Sequence, residues 1–131
     1  MSQNMTIWKY NDVELELDLG DASTAERYEN AFKRLGMNEK LVKKDVSNPE
    51  FIRQYCKLYH NLFDDLFGEG TYAKLSRGKI ENINVAHDIY ESFLAFGNTQ
   101  AKTIIDNQNR FLGKYSPNRA QRRAAAKNGK T

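Results

Sequence analysis

From Val13 to Leu19 apolar and acidic residues alternate without a break. Val13, Leu15, Leu17 and Leu19 fall on one side, Glu14, Glu16 and Asp18 on the other. A period of two is that of a half-buried strand. Thr6 to Tyr10, TIWKY, reads as its partner, and Asn11-Asp12 as a two-residue turn. The pattern therefore predicts a β-hairpin over about residues 6–19. Ile7 and Val13 are expected to face the body, with Trp8 or Tyr10 covering an edge. A lone hairpin is marginal in water, so it must pack on helices or on another subunit.

Beyond Gly20 the period changes to that of a helix. Ala25, Tyr28, Ala31, Phe32 and Leu35 share one face, which predicts a helix over about 22–35. Asp21 or Ser23 can cap it, Glu26 stands at capping-box distance from Ser23, and Gly36 is the expected stop. Met37 to Ser47 reads as a charged connector with Lys40, Lys43 and Lys44, with room for a short helical turn. A second helix follows over about 49–67. Asn48 is its expected N-cap, Pro49 sits at its first position, and Gly68 ends it. Its apolar residues cover more than one stripe, which predicts a central helix with neighbours on two sides. Thr71 to Leu75 reads as a short helix closed by Ser76-Arg77-Gly78.

Helical spacing returns over about 84–114. Positions 86, 90, 93, 97, 101, 104, 108 and 111 step by threes and fours straight through Gly97. Two readings are open. In one, a single long helix uses Gly97 as a close-packing point. In the other, Gly97 ends one helix and Asn98 or Thr99 caps the next. The expected architecture is α+β, predominantly α: a hairpin packed on three to five helices. The expected division is a globular domain over 1–115 and a flexible basic tail over 116–131.

Length and composition fit that plan. A chain of 131 residues makes one small domain with a tail, and 40% hydrophobic with 28% charged residues is the balance of a globular protein. The mean hydropathy of −0.76 and the lack of a long apolar run argue against a membrane span. No basic start followed by an apolar block suggests a secretory signal. The single cysteine, Cys56, excludes a disulfide framework within the chain and any CxxC metal site. A reducing cytoplasm is the simplest compartment.

Charge changes the picture more. The net +3 hides a basic end: Arg119, Arg122, Arg123, Lys127 and Lys130, with no acid from Pro117 onward. The remainder of the chain is mildly acidic, with 15 basic and 17 acidic residues. A basic arm of this kind can contact nucleic acid, an acidic protein surface, or solvent alone.

Catalytic and cofactor signals are thin. His60, Asp64, Asp65 and Glu69 cluster near the end of the second helix. They lack a second histidine, and Gly68 breaks the geometry, so a solvated helix face is the plainer reading than a metal site. Asp64 and Asp65 nevertheless sit where the helix dipole disfavours anions. Either Lys74, Arg77 and Lys79, near in sequence, neutralise them, or the two aspartates form an acidic spot for a partner or for the basic arm itself. Cys56 and His60 stand four apart, yet Cys56 falls on the apolar stripe and reads as a buried small hydrophobe. His87 reads as a surface residue. Gly68, Gly70 and Gly78 match no phosphate-binding loop. No enzyme, cofactor or metal is expected.

Seven Phe, seven Tyr and one Trp exceed what so small a body obviously needs. Most are expected in the core. Some of Tyr55, Tyr59, Phe63, Phe67, Phe93 and Phe96 are the candidates for an exposed groove that binds a partner helix or a second copy of the chain.

The segment Pro117-Asn118-Arg119-Ala120-Gln121-Arg122-Arg123-Ala124, running on to Lys127, resembles the C-termini of tail assembly chaperones of long-tailed phages and prophages of Gram-positive bacteria. The rest of the chain agrees in size and layout. The resemblance implies a non-enzymatic protein that coats the tape-measure protein while the tail tube polymerises. It also implies self-association, and contact with the tube protein through a longer product made by ribosomal frameshifting. Such a chaperone works in the host cytoplasm and is absent from the finished virion. The competing expectation from the residues themselves is a small nucleic-acid-binding or regulatory protein acting through Arg119, Arg122, Arg123, Lys127 and Lys130.

Overall fold

The computed structural model of the chain describes residues 3–115. A 3-10 turn, Gln3–Thr6, leads into β1, Ile7–Tyr10, and β2, Val13–Glu16. Four α-helices follow: α1, Ala22–Glu39; α2, Asn48–Phe67; α3, Thr71–Leu75; and α4, Ile83–Tyr115. The chain is thus mostly helical, with an N-terminal antiparallel hairpin packed against the helices. The tail expected over 116–131, with all five arm residues, lies outside the described residues.

The hairpin turns through Asn11, whose φ of 54° is one that asparagine tolerates better than most residues. A two-residue turn fixes the register, pairing Tyr10 with Val13 and Trp8 with Leu15. Trp8 and Tyr10 therefore share the core face with Val13 and Leu15. Ile7 falls on the outer face with Lys9, Glu14 and Glu16. The expectation that Ile7 faces the body is thus corrected, and so is the edge role given to Trp8. Trp8 is 3% exposed, stacks on Phe63 at 5.6 Å and donates its indole N–H to Ser92 at 3.0 Å.

Strand pairing ends at Glu16, short of Leu19, but the chain beyond it is held by a side chain. Gln100 of α4 is buried. Its amide donates to the carbonyls of Met5 and Leu17, each at 2.9 Å, and its oxygen accepts from the Leu19 N–H. These bonds satisfy backbone groups that would otherwise be buried without partners.

Asp21, not Ser23, caps α1. Its carboxylate accepts from the Thr24 N–H at 3.1 Å and from the hydroxyls of Ser23 and Thr24. Those bonds hold its pKa below the usual carboxylate value. Gly36 does not stop α1, which runs on to Glu39 because Gly36 keeps helical geometry. The N-cap of α2 is Ser47, one residue before the expected Asn48, and it accepts from the Glu50 N–H. Gly68 ends α2 with a φ of 111°, which a side chain would strain.

Residues 83–115 form one helix, which decides between the two readings of Gly97. A Cβ on Gly97 would lie 2.9 Å from the Tyr28 hydroxyl oxygen. Glycine here lets the phenol of α1 lie against the α4 backbone. Asn82 caps the helix, accepting from the N–H groups of Asn84 and Val85.

This contact makes a coupled prediction. Gly97→Ala gains about 1 kcal/mol of helix propensity, offset by the crowded hydroxyl. In a Tyr28→Phe background the crowding is gone, so the same substitution stabilises by about 1 kcal/mol. A double-mutant cycle by urea denaturation measures the coupling.

Candidate partner-binding surfaces

The aromatic residues divide sharply between core and periphery. Phe63 and Phe93 are both 0% exposed, so neither belongs to a partner surface. Phe93 meets Trp8 at 5.0 Å, Phe63 at 5.2 Å and Phe67 at 6.0 Å, and lies stacked at 6.4 Å from Phe32 of α1. Phe67 and Phe96 are partly buried and pack against the same cluster. Tyr59 is half-buried between Tyr90 at 4.7 Å and the exposed His87 at 6.2 Å. Tyr55 is also half-buried, with its ring 4.8 Å from Phe51. The aromatic set is chiefly a core, and no continuous aromatic groove opens among the described residues.

Large exposed apolar side chains stand elsewhere. Met37 is 65% and Leu41 74% exposed, at the end of α1 and just beyond it. Leu41, Val42 and Leu58 line a groove of about 360 Å³ between that segment and α2, rimmed by Asn38, Gln54, Lys57 and Asn61. Gln54 shapes its wall, accepting from the Lys43 N–H at 2.8 Å and donating to the Lys43 carbonyl at 3.0 Å. Lys57 lines the groove, and Lys40, Lys43 and Lys44 outnumber Glu39 and Asp45 in the segment beside it. Sequence reasoning passed over it because two apolar residues among lysines make no periodic pattern. The signal was there: a charged loop has no need of Met37, Leu41 and Val42.

The second exposed stretch is the distal part of α4. Beyond Gln100, Thr103 and Ile104 are half-buried, and Ile105, Phe111 and Leu112 are 54%, 60% and 46% exposed.

The acidic cluster resolves into structural roles. Asp64 accepts from the Tyr72 N–H at 2.9 Å and from the Gly70 N–H at 3.3 Å, and its other neighbour is His60 Nε2 at 3.2 Å. Its place in the last turn of α2 is explained by the start of α3, whose N–H groups it satisfies. Asp65 pairs with Arg34 at 3.0 Å and ties α2 to α1. Arg77 pairs instead with Asp12 of the hairpin turn at 3.6 Å. The expected neutralisation of Asp64 and Asp65 by Lys74, Arg77 and Lys79 is replaced by these partners. Among the described residues no group of His, Cys, Asp or Glu is placed to hold a metal ion. Cys56 is buried, and burial pushes its thiol up. No helix among the described residues is long and apolar enough to cross a membrane.

The fold and these surfaces define a small, mostly helical protein with exposed apolar side chains between α1 and α2 and on the distal part of α4. A family model matches residues 11–126, and the chain belongs to that family, DUF6673, described as a family of unknown function. No curated protein and no solved structure matches the chain.

Two predictions follow from the division between core and periphery. Phe93→Ala should cost about 3–5 kcal/mol, whereas Ile105→Ala should stay within about 0.5 kcal/mol, both read from denaturant midpoints. Burial pushes Tyr59 up to about 12, and burial with the Asp88 hydrogen bond does the same for Tyr10. Burial also raises Tyr72, whose hydroxyl has no partner. The fold holds these phenols neutral, so their contribution is complete below the ordinary tyrosine value of about 10 and is lost as pH rises toward 12. Thermal melts should show stability falling across that window, and Tyr59→Phe should flatten the fall.

Proposed function

We propose that this protein is a non-enzymatic assembly chaperone that keeps a long helical partner soluble. By the resemblance of its basic arm, the partner is the tape-measure protein of a phage tail. The observation that carries the reading is the apolar groove lined by Leu41, Val42 and Leu58, with Met37 beside it and lysines around it. An amphipathic helix lays its apolar side into a groove of this kind, and acidic flanks would meet Lys40, Lys43, Lys44 and Lys57. A small, open groove gives weak contacts. Weak contacts repeated along a long partner gain by avidity and still release it when a growing tube displaces them. The work belongs to the cytoplasm of the host cell. A longer frameshifted form carrying a domain for the tail tube protein would extend from the basic end.

The test is co-expression with the longest helical protein encoded downstream. The expected result is a soluble partner that co-purifies in moderate salt and without residues 117–131. Leu41→Asp paired with Met37→Asp should abolish the rescue while the body stays folded, because both side chains are largely exposed. Failure to solubilise the partner, together with salt-sensitive DNA binding by the intact chain, would overturn this reading in favour of a nucleic-acid arm.

A further inference from the structure

We propose that the outer edge of β2 is a docking site for an extended partner segment in which basic and apolar residues alternate, added antiparallel as a third strand. The hydrogen-bond parity of the hairpin shows what this edge offers. The Leu17 N–H donates to the Thr6 carbonyl at 2.8 Å, so Thr6 and Leu17 form a hydrogen-bonded pair. In an antiparallel ladder such pairs alternate with wide pairs, whose backbone groups point away from the partner strand. Counted from Thr6 and Leu17, Trp8–Leu15 and Tyr10–Val13 are bonded pairs, and Ile7–Glu16 and Lys9–Glu14 are wide ones. The N–H and C=O groups of Glu14 and Glu16 therefore point outward from β2. They have no hydrogen-bond partner among the described residues.

The two strands are covered unequally. β1 lies on α4, with the Trp8 indole donating to Ser92 and the Tyr10 hydroxyl to Asp88, and Trp8 is 3% exposed. Val13 and Leu15 of β2 share that inner face yet are only half-buried, and Glu14 and Glu16 are exposed. A strand laid along this edge would pair the outward N–H and C=O groups and cover the rest of Val13 and Leu15. It would also add a third strand to a hairpin that is marginal as two.

Charge selects the occupant. In antiparallel addition the partner residues directly opposite Glu14 and Glu16 lie on the same outer face as the glutamates. Lys9 stands 3.7 Å from Glu14, but both side chains are more than half exposed, so the pair is weak. Glu16 stands across from Ile7. A lysine or arginine opposite each glutamate makes two cross-strand ion pairs. The partner residues between them fall beside Val13 and Leu15, where apolar side chains fit. A second copy of β2 is a poor occupant, because antiparallel pairing of two such edges sets glutamate against glutamate. An edge this short gives a weak, reversible contact.

The probe is a short end-blocked peptide of alternating valine and lysine, titrated into the isotope-labelled full chain and followed by NMR. The expected result is saturable shifts at Glu14 and Glu16, with slowed amide hydrogen exchange at both. Methylating the lysine amide nitrogens, which would donate to the Glu14 and Glu16 carbonyls, should abolish binding. Methylating the valine nitrogens, which point away, should leave it intact. Glu14→Lys combined with Glu16→Lys should weaken the valine–lysine peptide roughly tenfold and favour a valine–glutamate peptide instead. Thermal melts of that variant should match the parent, because both side chains are exposed. Three results would each overturn the proposal: no saturable effect at Glu14 and Glu16, binding indifferent to methylation of the lysine nitrogens, and binding unchanged in the double variant. Protection of the same amides on concentrating the chain alone would also overturn it, and would assign the edge to a second copy.

Discussion

Everything in this fold leans on the ring of Phe93. It sits at the point where the hairpin, α1 and α2 converge on α4. Trp8 comes from the hairpin at 5.0 Å, Phe63 from α2 at 5.2 Å, and Tyr28 and Phe32 from α1 at 6.1 and 6.4 Å. Trp8 and Phe63 meet the Phe93 ring edge to face, the arrangement that aromatic quadrupoles favour. A two-stranded hairpin has little stability of its own. Trp8 supplies what it lacks by burying its indole in this cluster and handing its N–H to Ser92. The hairpin is thus an appendage of the helical core, fastened by Trp8 and, at its ends, by Gln100.

Polar contacts then decide the geometry that apolar packing leaves loose. Gln100 bridges the strand ends from within α4, and Asp64 turns the end of α2 into the start of α3. Both lie at positions where a backbone segment would otherwise be buried with unpaired groups. Each is a side chain of one helix acting as a cap or strand partner for another element. Gly97 does the complementary work by having no side chain, which brings Tyr28 and α1 close to α4.

The elements themselves were legible in the sequence because their periods are clean. Val13 to Leu19 alternate, and Asn48 to Phe67 carry a helix with Pro at its start and Gly at its end. What could not be read was parity and partner choice. Alternation shows that Ile7 and Trp8 face opposite ways, but not which one faces in. That depends on the turn, which pairs Tyr10 with Val13 and sends Trp8 inward. The odd placement of Asp64 and Asp65 was visible as a conflict with the helix dipole. Its resolution depends on α3 and Arg34, which are brought there only by folding. The aromatic richness suggested a surface, yet tertiary packing consumed Phe63 and Phe93. Most of the large apolar residues that do reach solvent are not aromatic, and several of them lie in the segment around Leu41 and in the distal part of a helix whose first half is core.

That last point bears on what the exposed stretches mean. An isolated helix of about fifteen residues is marginal in water because its first turn is costly to form. In α4 the first turn forms against the body, where Ala86, Ile89 and Phe93 are buried, so the distal half needs only propagation. It can be helical without a tertiary partner, even with Asn107, Asn109 and Gly113 weakening it. Ile105 and Leu112 are thus presented largely to solvent on a preformed helix. These side chains and the groove at Leu41 lie on different elements, α4 and the α1–α2 segment. Under the proposed function, many copies of the groove would line one long helical partner. Each contact can then stay weak while the assembly as a whole holds.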